Sequence, residues 1–165
     1  MSELLSADDL ITYAVNEYSD TIYRIALNIT KNNEDAFDVC QDVFVRLIKS
    51  KSKINNSEHL KAWLIRATIN CAKSCCTQAY RKHRVDIESL HDDDLAHRDK
   101  YDTLIESVME LPEKYSTVIH LFYYEDMQIN EIAQTLKISK SAVKQRLARG
   151  REKLKIILEK EDCYD

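Results

Sequence analysis

Residues 128–150 read Gln128-Ile-Asn-Glu-Ile-Ala-Gln-Thr-Leu-Lys-Ile-Ser-Lys-Ser-Ala-Val-Lys-Gln-Arg-Leu-Ala-Arg-Gly150. Ile129, Ile132, Ala133 and Leu136 recur at helical spacing and form one apolar face. Ile138 plugs a turn, and Ser139 is suited to cap a second helix. In that second helix Val143, Leu147, Gly150 and Leu154 fall on the inner face. Ser141, Lys144, Gln145, Ala148 and Arg149 share another. A small residue at Ala133 lets two helices cross closely, as a helix-turn-helix requires. Lys, Gln and Arg near the start of the second helix are the side chains that reach base edges in a major groove. The competing reading is an αα-hairpin with a solvated basic face.

Composition points the same way. The 165 residues include one Gly and one Pro, where average usage would give roughly 12 and 8. A β-sandwich needs Gly, Asn-Gly or Pro at its tight turns, and phosphate loops need Gly where backbone meets ligand. The expectation is an all-α chain, and Gly-rich nucleotide-binding enzymes are excluded. Five cysteines, with no CxxC pair, fit neither a secreted disulfide framework nor a four-cysteine zinc site. Met1–Asp9 has no apolar run resembling a signal peptide, and no stretch approaches the ~18 apolar residues of a membrane span. A cytoplasmic protein with no cofactor is expected.

The net charge of −4 conceals segregated blocks. Residues 61–84 hold six basic residues and no carboxylate, and residues 137–155 hold eight against Glu152 alone. Residues 86–102 hold seven acids against Arg98 and Lys100. Two basic blocks separated by an acidic bridge suggest two contacts with a polyanion. They also divide the chain: a domain over 1–85, an acidic linker over 86–102, and a helix-turn-helix domain over 103–165. Apolar spacing in the first domain predicts helices around Ile22, Ile25, Ala26 and Ile29, around Phe37, Cys40, Val43, Phe44 and Leu47, and around Leu60, Trp63, Leu64, Ala67 and Cys71. Asn32, Asn33 and the Asn55-Asn56-Ser57 cluster break them, and Pro112 marks a helix start or a turn.

Taken together, three segments besides the helix-turn-helix resemble a known family. Asp35-Ala36-Phe37-Asp38-Val39-Cys40-Gln41-Asp42-Val43-Phe44-Val45-Arg46-Leu47 is similar to the polymerase-binding helix of the extracytoplasmic-function (group IV) sigma factors of bacterial RNA polymerase. Ala62-Trp63-Leu64-Ile65-Arg66-Ala67-Thr68-Ile69-Asn70 is similar to the start of their promoter-melting helix, and Leu111-Pro112-Glu113-Lys114-Tyr115, with the helix-turn-helix, to their region four. The resemblance implies a non-enzymatic specificity subunit made of region two and region four. It implies that Asp35, Asp38, Gln41 and Asp42 meet the β′ clamp helices, and that the chain's partner surface on core polymerase also includes the β flap. Phe44 and Trp63, each in an apolar stripe, read as core before contact or stacking platform.

The loop Lys53–His59 and the helix after it would engage the minus-ten strand, with Asn70, Lys73 and Ser74 at the carried-over positions. Arg66, Arg81 and Lys82 would supply phosphate contacts. Ser141, Lys144, Gln145 and Arg149 would lie over the minus-thirty-five element, with Arg146 better placed for phosphate or an intradomain pair. An anti-sigma factor, commonly membrane-anchored, is implied as a partner, with no insertion of this chain into the membrane. The acidic linker would thread towards the RNA exit path or serve as a solvated tether. Lys137 stands where many relatives have Gly, and Ala148 where a larger residue is common. Cys71, Cys75 and Cys76 read as buried or incidental thiols before a redox or metal sensor, and His83, His91 and His97 as surface residues. Two rival functions are a stand-alone helix-turn-helix regulator on a palindrome and a helical phosphohydrolase with Asp35, Asp38 and Asp42 on metal. The second lacks the Glu-x-x-His motifs of such bundles.

Overall fold

The computed structural model describes residues 6–50, 53–82 and 100–163, with side chains at 79–82 and 100–103 left aside. It contains seven helices among those residues: α1 (Ala7–Thr30), α2 (Asn33–Ser50), α3 (Ser57–Lys82), α4 (Lys100–Met109), α5 (Glu113–Tyr123), α6 (Ile129–Leu136) and α7 (Lys140–Asp162). No described residue is in a strand. The chain divides into two compact units, Met1–Ala79 and Tyr80–Asp165. Most of the acidic bridge, with His83, His91 and His97, lies outside the described residues, and α4 begins inside its last three positions.

In the first unit the polar breaks do more than interrupt. Ser6 and Asp9 close a capping box on α1, the Ser6 hydroxyl accepting from the Asp9 N–H at 3.2 Å. The Asn32 side-chain carbonyl accepts from the Asp35 N–H at 3.0 Å, and that of Asn56 from the His59 N–H at 2.8 Å. Each satisfies a donor at the start of α2 or α3 that the helix itself leaves orphaned. Asn33 belongs to α2, and its side-chain oxygen accepts from the Tyr23 hydroxyl at 2.9 Å.

The core stripe of α2 differs from the sequence expectation. Ala36, Val39, Val43 and Leu47 are buried, while Phe37 is 59% exposed and rests against the Tyr23 ring at 4.9 Å between centroids. The aromatic weight of Phe37 pulls the apparent stripe off the true one: Val43 and Leu47 belong to both, but the buried line is rotated by about half a residue, ~50°, towards Ala36 and Val39. Cys40 and Phe44 are half-buried at its edge. In α3 the buried set is wider than the stripe, adding Ile65, Thr68, Ile69 and Ala72, and Trp63 is half-buried.

The second unit is organised around α5, in which Tyr115 through Leu121 are buried without interruption. Pro112 precedes its first turn, where its fixed φ and missing N–H cost nothing. α6 and α7 form the expected helix-turn-helix. Ile132 and Ala133 are buried, the Ile138 N–H donates to the Ala133 carbonyl at 3.0 Å, and the Ser139 hydroxyl caps α7 by accepting from the Ala142 N–H at 3.0 Å. Lys137 takes the left-handed conformation at φ 56°, as do Lys31 and Asp126 at φ 56° and 53°.

Gly150 is therefore not used at a turn. It lies on the inner face of α7 where α7 packs on α5, and a β-carbon there would come within 2.7 Å of Ile119 Cδ1 and 3.5 Å of Tyr115 Cβ. Gly150→Val is expected to destabilise this unit by about 1–3 kcal/mol through overpacking. Gly150→Ala should be close to neutral, since a gain of ~1 kcal/mol in helix propensity offsets a shift of the flexible Ile119 tip. Urea unfolding with amide exchange of α5 as the readout measures both; equal stability of Val and Ala variants would refute the close crossing.

Candidate nucleic-acid interface

Burial of Val143, Leu147 and Gly150 fixes the roll of α7. Each apolar side chain stabilises that orientation by about 1.5–3 kcal/mol. Ser141, Lys144, Gln145, Ala148 and Arg149 are consequently all exposed, on one strip, and Arg146 is half-buried beside it. The first turn of α7 contains no acid, so the positive end of the helix dipole adds to the basic side chains rather than being neutralised.

The basic run of α7 is not uniform. The Arg151 Nε donates to the Tyr123 hydroxyl at 2.6 Å and its guanidinium lies over the Phe122 and Tyr123 rings. Lys155 pairs with Glu159 at 3.8 Å. Lys114 and Lys153 place their ammonium groups 4.9 and 5.7 Å from the centre of the Tyr115 ring. Burial pushes the Tyr115 phenol up, but hydrogen bonds and charge from Lys114 and Arg149 outweigh it and hold the group below the ordinary tyrosine range.

In the first unit Arg66, Asn70, Lys73 and Ser74 are exposed on one face of α3, as spacings of four, seven and eight residues from Arg66 require. Arg81 and Lys82 continue α3 in its last turn, their side chains outside those described. On α2, Asp38, Gln41 and Asp42 are exposed and Asp35 is half-buried. Phe37, Val45 and Ile48, 48–59% exposed, run alongside them. The sequence pattern did not single out these three as surface residues, because apolar residues at helical spacing read as core.

The thiols have the character of packing groups. Burial pushes Cys40 up to about 11 and also raises Cys71 and Cys75, the last helped by the charges of Asp35, Cys76, Asp38 and Asp42. A thiol raised in this way holds little thiolate at neutral pH. Among the described residues no three His, Cys, Asp or Glu side chains are placed to hold a metal, and no helix is long and apolar enough to cross a membrane. A buried pair escaped the sequence reading: His120 Nε2 lies 3.4 Å from Glu125 Oε1, with the imidazole stacked on Tyr124. Its five-residue spacing across the end of α5 is not a helical-face pattern, so nothing in the sequence marks it.

Comparison with known proteins identifies both halves. Residues 14–84 match the family model for sigma-70 region 2, and residues 101–154 that for sigma-70 region 4. The sigma factor SigV of Bacillus subtilis is 30% identical over 155 residues, covering 93% of each chain. The ECF sigma factor SigW of the same organism is 26% identical, covering 89% of this chain and 88% of its own. Among solved structures, the sigma factor RpoE of Bartonella quintana, in complex with the anti-sigma factor NepR, aligns with a TM-score of 0.74 at 18% identity over 90% of this chain and 96% of its own. CnrH, in complex with the cytosolic domain of CnrY, aligns at 0.62 with 22% identity over 90% and 87%. Region two followed by region four, along nearly the whole of a relative 30% identical, makes this chain a member of the extracytoplasmic-function sigma factors, which direct core RNA polymerase to specific promoters and initiate transcription.

Proposed function

We propose that the two units divide promoter recognition between them, and that the chain performs no chemistry of its own. Asp35, Asp38, Gln41 and Asp42 on α2 dock on the β′ clamp helices, together with Phe37, Val45 and Ile48. An exposed apolar strip edged by carboxylates suits a protein partner better than solvent. Arg66, Asn70, Lys73 and Ser74, with Arg81 and Lys82, engage the opened minus-ten strand. Ser141, Lys144, Gln145, Arg146 and Arg149 meet the minus-thirty-five element. The functional segments are 1–85, the acidic linker 86–102, and 103–165.

In the second unit an apolar groove of about 780 Å³, lined by Leu104, Val108, Ile119, Tyr123, Leu154 and Leu158, is the seat assigned to the β flap. The RpoE structure holds an anti-sigma factor and the CnrH structure the cytosolic domain of CnrY, and an anti-sigma factor is assigned to this chain by analogy, with action in the cytoplasm. The observation carrying the reading is the acid-free exposed strip at the start of α7. No specific observation favours the stand-alone regulator.

Run-off transcription with purified chain and bacterial core polymerase on randomised promoters tests it. Transcripts should be enriched for two boxes at fixed spacing, and no dependence on the chain would refute it. Lys144→Ala should weaken binding to the selected promoter by about 1–3 kcal/mol, the value of one good base contact, while core binding is retained. Equal loss on scrambled DNA would make Lys144 a phosphate contact. Asp38→Arg should show the reverse, with core affinity reduced and free-chain folding intact by circular dichroism. Unchanged core affinity would remove Asp38 from the docking face.

A further inference from the structure

The apolar groove of the second unit has three walls of unequal firmness. α5 and α7 are held together by the close crossing at Gly150 and by the hydrogen bond from Arg151 to Tyr123. α4, which supplies Leu104 and Val108, has ten residues, fewer than the ~12–15 at which an isolated helix persists in water. Among its described side chains only those of Ser107 and Val108 are buried, and Leu104 is 41% exposed. The Ser107 hydroxyl, 0% exposed, donates to both oxygens of the Glu161 carboxylate near the end of α7, at 3.1 and 3.2 Å. Each of the two lies three residues past a leucine of the groove, Ser107 past Leu104 and Glu161 past Leu158. On its own helix each therefore neighbours that leucine.

We propose that Ser107 and Glu161 form a clasp that fixes α4 as a wall of the groove, which makes Ser107 a positioning residue for the partner seated there. The inference rests on the reading of the groove as the seat of the β flap, and it names the contact that keeps the seat in shape. Apolar burial is non-directional, so the leucine and valine contacts by themselves allow α4 to slide or roll on α7. A hydrogen bond shared between two carboxylate oxygens is directional. A buried hydroxyl that loses it has nothing to offset its removal from water. The clasp thus selects the one register in which Leu104 and Val108 line the groove with Leu154 and Leu158. When it opens, α4 leaves that register in a share of the molecules, and apparent affinity falls with the share that remains competent. Ser107 is buried, so it acts through the placement of Leu104 and Val108 and not by touching the partner.

The experiment measures binding of the full chain to core polymerase and to core polymerase lacking the β flap, with amide exchange of the free chain alongside. Ser107→Ala should weaken binding to intact core about tenfold, the low end of what one hydrogen bond to a charged group contributes. Binding to the flapless core should not change. Exchange should quicken in α4 and not in α5 or α7. Glu161→Ala should match these effects, and the double variant should lose nothing more. Glu161→Gln keeps an acceptor oxygen and should retain most of the affinity. Unchanged binding of Ser107→Ala to intact core, or additive losses in the double variant, overturn the clasp. Equal loss on both polymerases, or exchange quickened throughout the unit, makes the pair a stabilising contact and overturns its positioning role. A wild-type chain that binds both polymerases alike overturns the reading of the groove beneath it, and the exchange pattern of the free chain still decides the clasp.

Discussion

The contact of α7 with α5 at Gly150 is the constraint on which the second unit depends. With Ile119 Cδ1 only 2.7 Å from where a β-carbon would stand, the helices meet at a separation that no larger residue permits without repacking. That separation, with Val143 and Leu147 buried beside it, sets the roll of α7. The roll in turn decides which residues face outward: a rotation by one residue, ~100°, would replace Lys144 and Gln145 with their neighbours. Tyr115 is part of the same contact, and its ring is also the platform for Lys114 and Lys153. One packing feature thus orients both the strip proposed to meet bases and the two lysines over the Tyr115 ring.

The sole glycine also explains what the sequence could and could not convey. Its rarity pointed to an all-helical chain, and the described residues form no strand, but it gave no hint that left-handed positions would be filled by Lys31, Asp126 and Lys137. An L-residue there costs about 1–2 kcal/mol, a strain the surrounding helices override. The helix-turn-helix was legible because its apolar positions, cap and basic strip lie within 23 consecutive residues and obey local periodicity. The face of α2 was not, because that helix carries two apolar lines. The buried line contains the small Ala36 and the modest Val39, and the exposed one the large Phe37. Periodicity reports that a line is apolar; it does not report whether the line is covered by the chain's own core or awaits another protein. Tyr115 and its cations were hidden for a different reason: Lys114 and Lys153 are 39 positions apart, so their meeting over one ring is a product of tertiary packing.

The distribution of charge then accounts for how a chain with a net charge of −4 recognises DNA. Backbone contacts supply affinity without sequence information, and base contacts supply discrimination in increments of about 1–3 kcal/mol each. On the proposed reading the early part of α7 offers few side chains to the bases, Lys144 and Gln145 chief among them, and the short Ala148 adds little reach. Such a strip by itself discriminates weakly. Joining it through one polypeptide to the first unit, with its proposed minus-ten contact, makes the second binding event intramolecular, so that two modest preferences multiply. This arrangement favours acid-poor faces at the two contacts over a uniformly basic chain, because a uniformly basic surface would strengthen binding to every sequence equally. Concentrating 13 of the 24 cations on α3 and α7, in a chain whose net charge is −4, keeps the non-specific term small relative to the specific one. Under the proposed division of labour, promoter choice depends on both boxes being present together, rather than on the strength of either contact alone.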